Sequence, residues 1–411
     1  MRTIITFLKF LGPGVLVTVG FIDPGNWATN IAAGSEYGYK LLWVVTLSTL
    51  ILIIIQHNVA KLGTVTGYCL AENISTHLPN KIGKVILGSG ILATISTIFA
   101  EILGASIALN MIFHINIKLA SLIVTPLILM FIYIYTYKKL EYIIIATVSV
   151  ITILFIVELA KVQLDWPLIT KSSVVPYLQN NSIIIVMGVL GAVVMPHNLF
   201  LHSEIIQSKH HNKTKSIKDI NQRLQLQFGD TFFAMILGFL INSAIIILAA
   251  TTFYKHNIIV EDISQTSVIL KPILGNAAAI IFAVAFFLSG FASALTAIIA
   301  GGSIYSGIYN KPYNPKTKYT NIGIIIIVSC ALIFIFIGGD PLTGLIYSQV
   351  VLSIQLPITM LVQYYLTSSK KVMGEHFKNN VISKMILLFI STVVIVLNII
   401  LIIQVFKNFN S

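Results

Sequence analysis

Between residues 11 and 406 the chain is a succession of apolar runs, each long enough to cross a bilayer and separated by short polar turns. About 20 apolar residues in a helix span the hydrocarbon. Lipid tolerates no exposed backbone that fails to satisfy its own hydrogen bonds. Eleven runs are readable, near 11–36, 42–62, 86–113, 118–136, 142–161, 182–207, 229–252, 273–308, 321–338, 342–367 and 383–406. The third and eighth exceed the bilayer thickness, so they tilt or extend beyond it. Composition agrees: 56% of the 411 residues are hydrophobic and 10% are charged, against roughly 25% charged in a soluble domain. The expected class is an all-α membrane protein. The start, "MRTIITFLKFLGPGVL", is basic like a signal peptide, but the apolar run continues with no cleavage site, so it reads as the first span. Two cysteines, Cys69 and Cys330, are too few for a disulfide framework.

Charge orients the spans. With the N-terminus in the cytoplasm, 19 of the 26 Lys and Arg residues fall on the cytoplasmic side and 7 outside, the asymmetry expected of loops that stay in the cytoplasm. Eleven spans then place the C-terminus outside a cell membrane. The net charge of +12 faces anionic lipid rather than nucleic acid. The basic run "KHHNKTKSIK" at 209–218 reads as a solvated cytoplasmic loop. A monomer is expected, with no cofactor.

Ionisable residues inside spans are costly and mark function by default. Several stand out: Asp23 in span one, Glu101 in span three, and His197 and His202 in span six. Glu158 ends span five and Asp230 opens span seven, near interfaces where a long side chain can reach water. Span one reads "GVLVTVGFIDPGNWATN" and span six "GVLGAVVMPHNLFLHSE". Each has a mid-span proline preceded by a candidate ligand, Asp23 or Met195, and followed two residues on by Asn26 or Asn198. The two sets are 172 residues and five spans apart. An odd number of spans inverts the second unit. The expected plan is two inverted five-span repeats, about 11–161 and 182–367, plus an extra helix at about 383–406, with broken helices meeting at the midplane.

A mid-helix proline removes one donor and displaces a carbonyl, and unwound backbone survives at membrane depth only where it lines a cavity or is buried. Proline kinks alone would not need Asp, Asn and Met beside them. Asp23 offers a hard carboxylate, Asn26 an amide oxygen and Met195 a soft thioether. Mg2+ and Ca2+ prefer oxygen shells, so the sulfur tilts the set towards Mn2+ and Fe2+, and further towards Cd2+.

"DPGN" at 23–26 together with "MPHNLFLHS" at 195–203 resembles the Nramp family of divalent metal transporters, whose bacterial members are called MntH. "LGPG" at 11–14, "KLGTVTG" at 61–67, "AEILGASIALN" at 100–110 and "SQVVLSIQLP" at 348–357 follow in the family's order. The resemblance implies a LeuT-like fold of 11 transmembrane helices. It implies metal contacts from Asp23, Asn26, Met195, the Ala192 carbonyl, Gln349 and Gly20. It also implies a proton route through Asp23, His197 and Glu101, with which His202 is grouped. Three places depart from the family: Ile98 replaces an aspartate, Phe291 replaces a glutamine, and no arginine follows Arg223. Losing both partners of an intramembrane charge pair avoids burying an unpaired charge.

The expected function is import of Mn2+, with Fe2+ and Cd2+ as further candidates, by alternating access, with proton coupling weak or altered. The alternatives are a carrier of the same fold for Mg2+ or an amino acid, and a passive metal channel. A metalloenzyme would need H-E-x-x-H; His197 and His202 are five apart without that glutamate, a poor shared face on a helix.

Overall fold

The computed structural model describes residues 13–135, 137–160, 162–179, 182–208, 216–260, 263 and 276–409, and the regular elements among them are all helices. Arg2, Lys9, residues 11 and 12 of the first span, the start of the eighth at 273–275 and most of the basic run at 209–218 lie outside the described residues.

The chain runs through α1 (Pro13–Thr18), α2 (Pro24–Tyr37), α3 (Leu42–Thr66), α4 (Leu70–His77), α5 (Asn80–Phe113), α6 (Ile117–Ile134), α7 (Tyr137–Leu159) and α8 (Trp166–Val174). It continues through α9 (Ile183–Val193), α10 (Pro196–Ser208), α11 (Ile217–Thr252), α12 (Asn276–Ile308), α13 (Lys318–Ile337), α14 (Pro341–Ser368), α15 (Lys370–Phe377) and α16 (Val381–Phe409). Ten apolar segments among the described residues are long enough to cross a membrane. The longest, Pro24–Thr66, has 43 residues and holds both α2 and α3. A single helix of that length would reach about 65 Å, twice the hydrocarbon thickness. The count of eleven read from the sequence depends on dividing this segment. The 3-10 turn Gly38–Leu41, with Gly38 at φ 61°, is where its direction changes.

Two expectations are corrected. Helix α11 begins at Ile217, capped by Ser216 and Asp219, so its first turns are polar and precede the apolar run. Asp230 opens the apolar run as expected, but it is buried rather than reaching water. Its carboxylate accepts the Gly14 N–H at 2.7 Å. Glu158 does end α7, but it too is buried, facing Trp27 and Phe282, instead of reaching for the interface. An apolarity window cannot register a polar helical extension or an inward-facing carboxyl.

Several core pairs join helices five spans apart. Helix α5 packs along α12, α3 along α11, and α9 against α2, while α10 meets α1 and α3. Small residues allow the closest of these approaches. A Cβ at Gly104 of α5 would lie 2.1 Å from the Pro24 Cβ, and one at Gly290 of α12 would lie 3.1 Å from the Pro24 Cγ. The proline that starts α2 is thus wedged between α5 and α12.

Candidate metal centre

Both spans with a central proline are broken. Span one leaves α-helix at Thr18, makes one 3-10 turn at Val19–Phe21 and resumes at Pro24. Span six stops at Val193 and resumes at Pro196. Each proline takes the first position of a new helix, where a missing N–H costs nothing. The carbonyls released at the breaks find side-chain donors. Phe21 O accepts from Asn242 Nδ2 at 2.7 Å. Ile22 O accepts from Trp27 Nε1 at 2.8 Å and from Ser289 Oγ. These bonds are what let irregular backbone persist at membrane depth.

Asp23 is the N-cap of α2, with ψ 165°. Its Oδ1 accepts from the Asn26 backbone N–H at 2.5 Å and from Asn26 Nδ2 at 3.0 Å. Asn26 Nδ2 also donates to Ala192 O at 2.9 Å and points to Gly20 O at 3.4 Å. The amide nitrogen therefore sits where three oxygens converge: one carboxylate oxygen and one carbonyl from each broken helix. Capping uses one oxygen of Asp23 and only the nitrogens of Asn26. Asp23 Oδ2 and Asn26 Oδ1 are buried and find no hydrogen-bond donor.

Met195 lies beside this cage. It packs against Ala93 and Leu352, and its Sδ accepts from Asn198 Nδ2 at 3.6 Å. The Gln349 side chain from α14 covers Gly25 so closely that a Cβ there would come 1.7 Å from its Nε2. Gln349 Nε2 donates to Ser348 Oγ at 3.1 Å, while Oε1 has no donor. Asp23, Asn26, Ala192, Met195 and Gln349 are all 0% exposed. Among the described residues no three His, Cys, Asp or Glu side chains converge. The donor set is instead one carboxylate, amide oxygens, carbonyls and a thioether.

Glu101 joins this centre, its carboxyl within hydrogen-bonding reach of Asp23 and accepting from Ser293 Oγ. The histidines go elsewhere. His197 Nδ1 meets Thr97 Oγ1 at 3.1 Å on α5, and His202 Nδ1 meets Gln56 Oε1 at 2.6 Å on α3. They face different helices, as a spacing of five requires. Ile98 is fully buried, and Phe291 packs edge-on to Phe131 at 5.0 Å and stacks on Phe287. Sequence reasoning did not single out Ser293, Thr97 or Gln56, whose residue types are ordinary within helices. Glu204 was legible as a carboxyl inside span six; it is buried and accepts from Ser303 Oγ at 2.7 Å.

Comparison with known proteins gives a consistent answer. Residues 14–404 match the family described as natural resistance-associated macrophage protein-like, Nramp. The chain is 36% identical to the divalent metal cation transporter MntH of Caldanaerobacter subterraneus over 95% of its length and 92% of the relative's. It is also 36% identical to the MntH of Listeria monocytogenes, over 95% of this chain and 88% of that one. A crystal structure of the Eremococcus coleocola manganese transporter superposes with a TM-score of 0.80 at 30% identity, covering 96% of this chain and 86% of that chain. The fold alone extends to Mhp1, a nucleobase-cation-symport-1 family transporter, with a TM-score of 0.65 at 13% identity. The fold is LeuT-like, and the chain belongs to the Nramp family.

Proposed function

We propose that this protein, a transporter rather than an enzyme, carries divalent transition-metal ions through a cell membrane by alternating access, with Mn2+ as the principal substrate. Asp23, Asn26, Met195 and the Ala192 carbonyl hold the ion, with Gly20 O and Gln349 as further contacts. The observation carrying this reading is the convergence of three oxygens on Asn26 Nδ2. Turning that amide about its terminal bond exchanges its N–H donors for the unused Oδ1. A cage of acceptors closed by a donor then becomes a cage of oxygens facing a cation. The free Asp23 Oδ2 supplies charge. Met195 supplies sulfur, which favours Mn2+, Fe2+ and Cd2+ over Ca2+ and Mg2+. Two bacterial relatives are named divalent metal cation transporters, and the superposed protein a manganese transporter.

We read the topology as eleven crossings with the N-terminus in the cytoplasm, spans one to five and six to ten forming inverted repeats. A potential of 100 mV, inside negative, favours inward movement of a divalent cation by about 4.6 kcal/mol, so uptake does not require a proton gradient. Proton coupling is weak or altered here. That follows from Ile98, from the aromatic packing around Phe291, and from a sequence with no arginine after Arg223. Glu101 keeps a link to Asp23, but Ile98, three residues before it on α5, is apolar and buried.

The test is Mn2+ uptake into proteoliposomes, with Ca2+ and Mg2+ competition and simultaneous internal pH. Saturable uptake, inhibited by Cd2+ more than by Ca2+ and accompanied by little acidification, is expected. Stoichiometric acidification would refute weak coupling, and uptake that fails to saturate would refute a carrier.

A further inference from the structure

We propose that Asn198 is a specificity-determining residue of the metal centre: its N–H fixes the Met195 thioether and its Oδ1 faces the cation as an additional oxygen donor. This inference rests on the metal reading given above.

Asn198 occupies in α10 the position that Asn26 occupies in α2, two residues after the proline that starts the helix. Asn26 turns its amide onto the residue before its own proline, the Asp23 carboxylate. Asn198 does the same, but there the residue is Met195, and the acceptor is sulfur at 3.6 Å. A thioether on three rotatable bonds adapts to many shapes and is poorly fixed by packing alone. An N–H on one side of the sulfur leaves the remaining lone-pair direction for a cation.

The other half of the amide is unused. Asn198 is 0% exposed, and its Oδ1 has no hydrogen-bond donor. Leaving a buried carbonyl unmet is costly, a cost that a cation ligand recovers. Its location is also specific. A Cβ on Gly20 would lie 2.2 Å from Asn198 Nδ2 and 2.8 Å from Oδ1, so the amide rests directly on that backbone. The carbonyl of the same Gly20 faces the Asn26 amide. Gly20 is therefore where the two amides meet, one from each broken helix.

The experiment is equilibrium binding of Mn2+, Cd2+ and Ca2+ to the purified full-length protein, wild type against Asn198→Ala, Asn198→Asp and Asp23→Asn, with melting temperatures measured without metal. Loss of an ordering partner in a metal site costs about 10–100-fold in affinity. Asn198→Ala should weaken Mn2+ tenfold or more. Asn198→Asp, which places a charge on the inward-facing oxygen, should tighten Ca2+ tenfold or more and erode the preference for Cd2+. A residue serving only in packing would change melting temperature without changing the order of the ions. If Asn198→Ala binds all three within threefold of wild type while Asp23→Asn loses binding, Asn198 is refuted and the metal centre stands. If Asp23→Asn also binds like wild type, the centre itself is misplaced. Loss of Mn2+ in Asn198→Ala with no tightening of Ca2+ in Asn198→Asp would refute the oxygen facing the cation. If Asn198→Ala does not fold, Asn198→Ser is held to the same tenfold criterion.

Discussion

Asp23→Asn separates the structural role of this residue from its proposed role in holding metal. Asp23 caps α2 through Oδ1, which accepts the Asn26 N–H at 2.5 Å. Asparagine is as good an N-cap as aspartate, so that bond and the break at Pro24 survive. The change also removes one of two neighbouring buried carboxyls, the other being Glu101. Stability should stay within about 1 kcal/mol of wild type or rise. Metal binding should not survive. A dication and a carboxylate about 4 Å apart at an effective dielectric near 20 attract by about 8 kcal/mol. Hydration given up by the ion offsets most of that attraction. A remaining third, about 2.7 kcal/mol, corresponds to roughly 100-fold in affinity. Titration calorimetry with Mn2+ on purified protein, paired with a thermal melt, reads both quantities. A folded Asp23→Asn variant that binds Mn2+ within threefold of wild type would show that the free Oδ2 does not face the substrate.

Met195→Ala should lower stability by about 2–5 kcal/mol, because the side chain is fully buried. It should retain part of Mn2+ transport while admitting Ca2+ and Mg2+; an unchanged ion-competition profile in liposomes would show that the sulfur is not a ligand. Gly104→Ala puts a methyl 2.1 Å from the Pro24 ring, an overpacking worth about 1–3 kcal/mol, and should lower both the melting temperature and uptake. A wild-type melt would refute the wedge of Pro24 between α5 and α12. Glu101→Gln should leave Mn2+ uptake within tenfold of wild type and abolish whatever internal pH change accompanies it; acidification unchanged from wild type would exclude Glu101 from the proton route.

The class of fold was legible because the bilayer allows few ways of spanning it, and the length and apolarity of the runs carry that information directly. The broken spans were legible because a mid-span Asp-Pro-Gly-Asn is tolerable only at a break. What the motif did not reveal is that its first function is local: Asp23, Pro24 and Asn26 are the N-cap, first turn and capping partner of α2. The metal reading depends on what capping leaves over, one unused oxygen on each side chain. That remainder is set by tertiary packing and cannot be counted from the sequence. The same holds for Asn198, visible as the counterpart of Asn26 in the repeat but without a stated role until its amide was found between Met195 and Gly20. Asp230 does open the apolar run as read, but hydropathy could not show that its carboxylate turns inward to the Gly14 N–H.

The way the two halves of span one are held bears on carrier against channel. Every proposed ligand is inaccessible, so the ion reaches or leaves the site only if an element moves. Helix α2 is locked: Pro24 is wedged against Gly104 and Gly290, and Trp27 contacts Phe155, Phe282 and Phe286 at 4.9, 5.2 and 5.3 Å. Helix α1 is described over Pro13–Thr18. It is tied to α11 by Gly14 N–H to Asp230 at 2.7 Å and Thr18 Oγ1 to Ala234 O at 3.2 Å. A bond to a charged acceptor contributes about 1.5–3 kcal/mol and a neutral one about 1, small enough for thermal opening. We expect the α1 side to act as the gate, and the topology proposed above puts it towards the cytoplasm. Asp230→Asn should weaken the tie and shift the protein towards the state open on that side. Cysteines placed on the α1 face of the centre should then label faster from the cytoplasmic side, while those on α2 keep their wild-type rate. Equal acceleration on both faces would mean that the centre opens as a pore, and equal rates in variant and wild type would mean that the Asp230 tie does not control the gate.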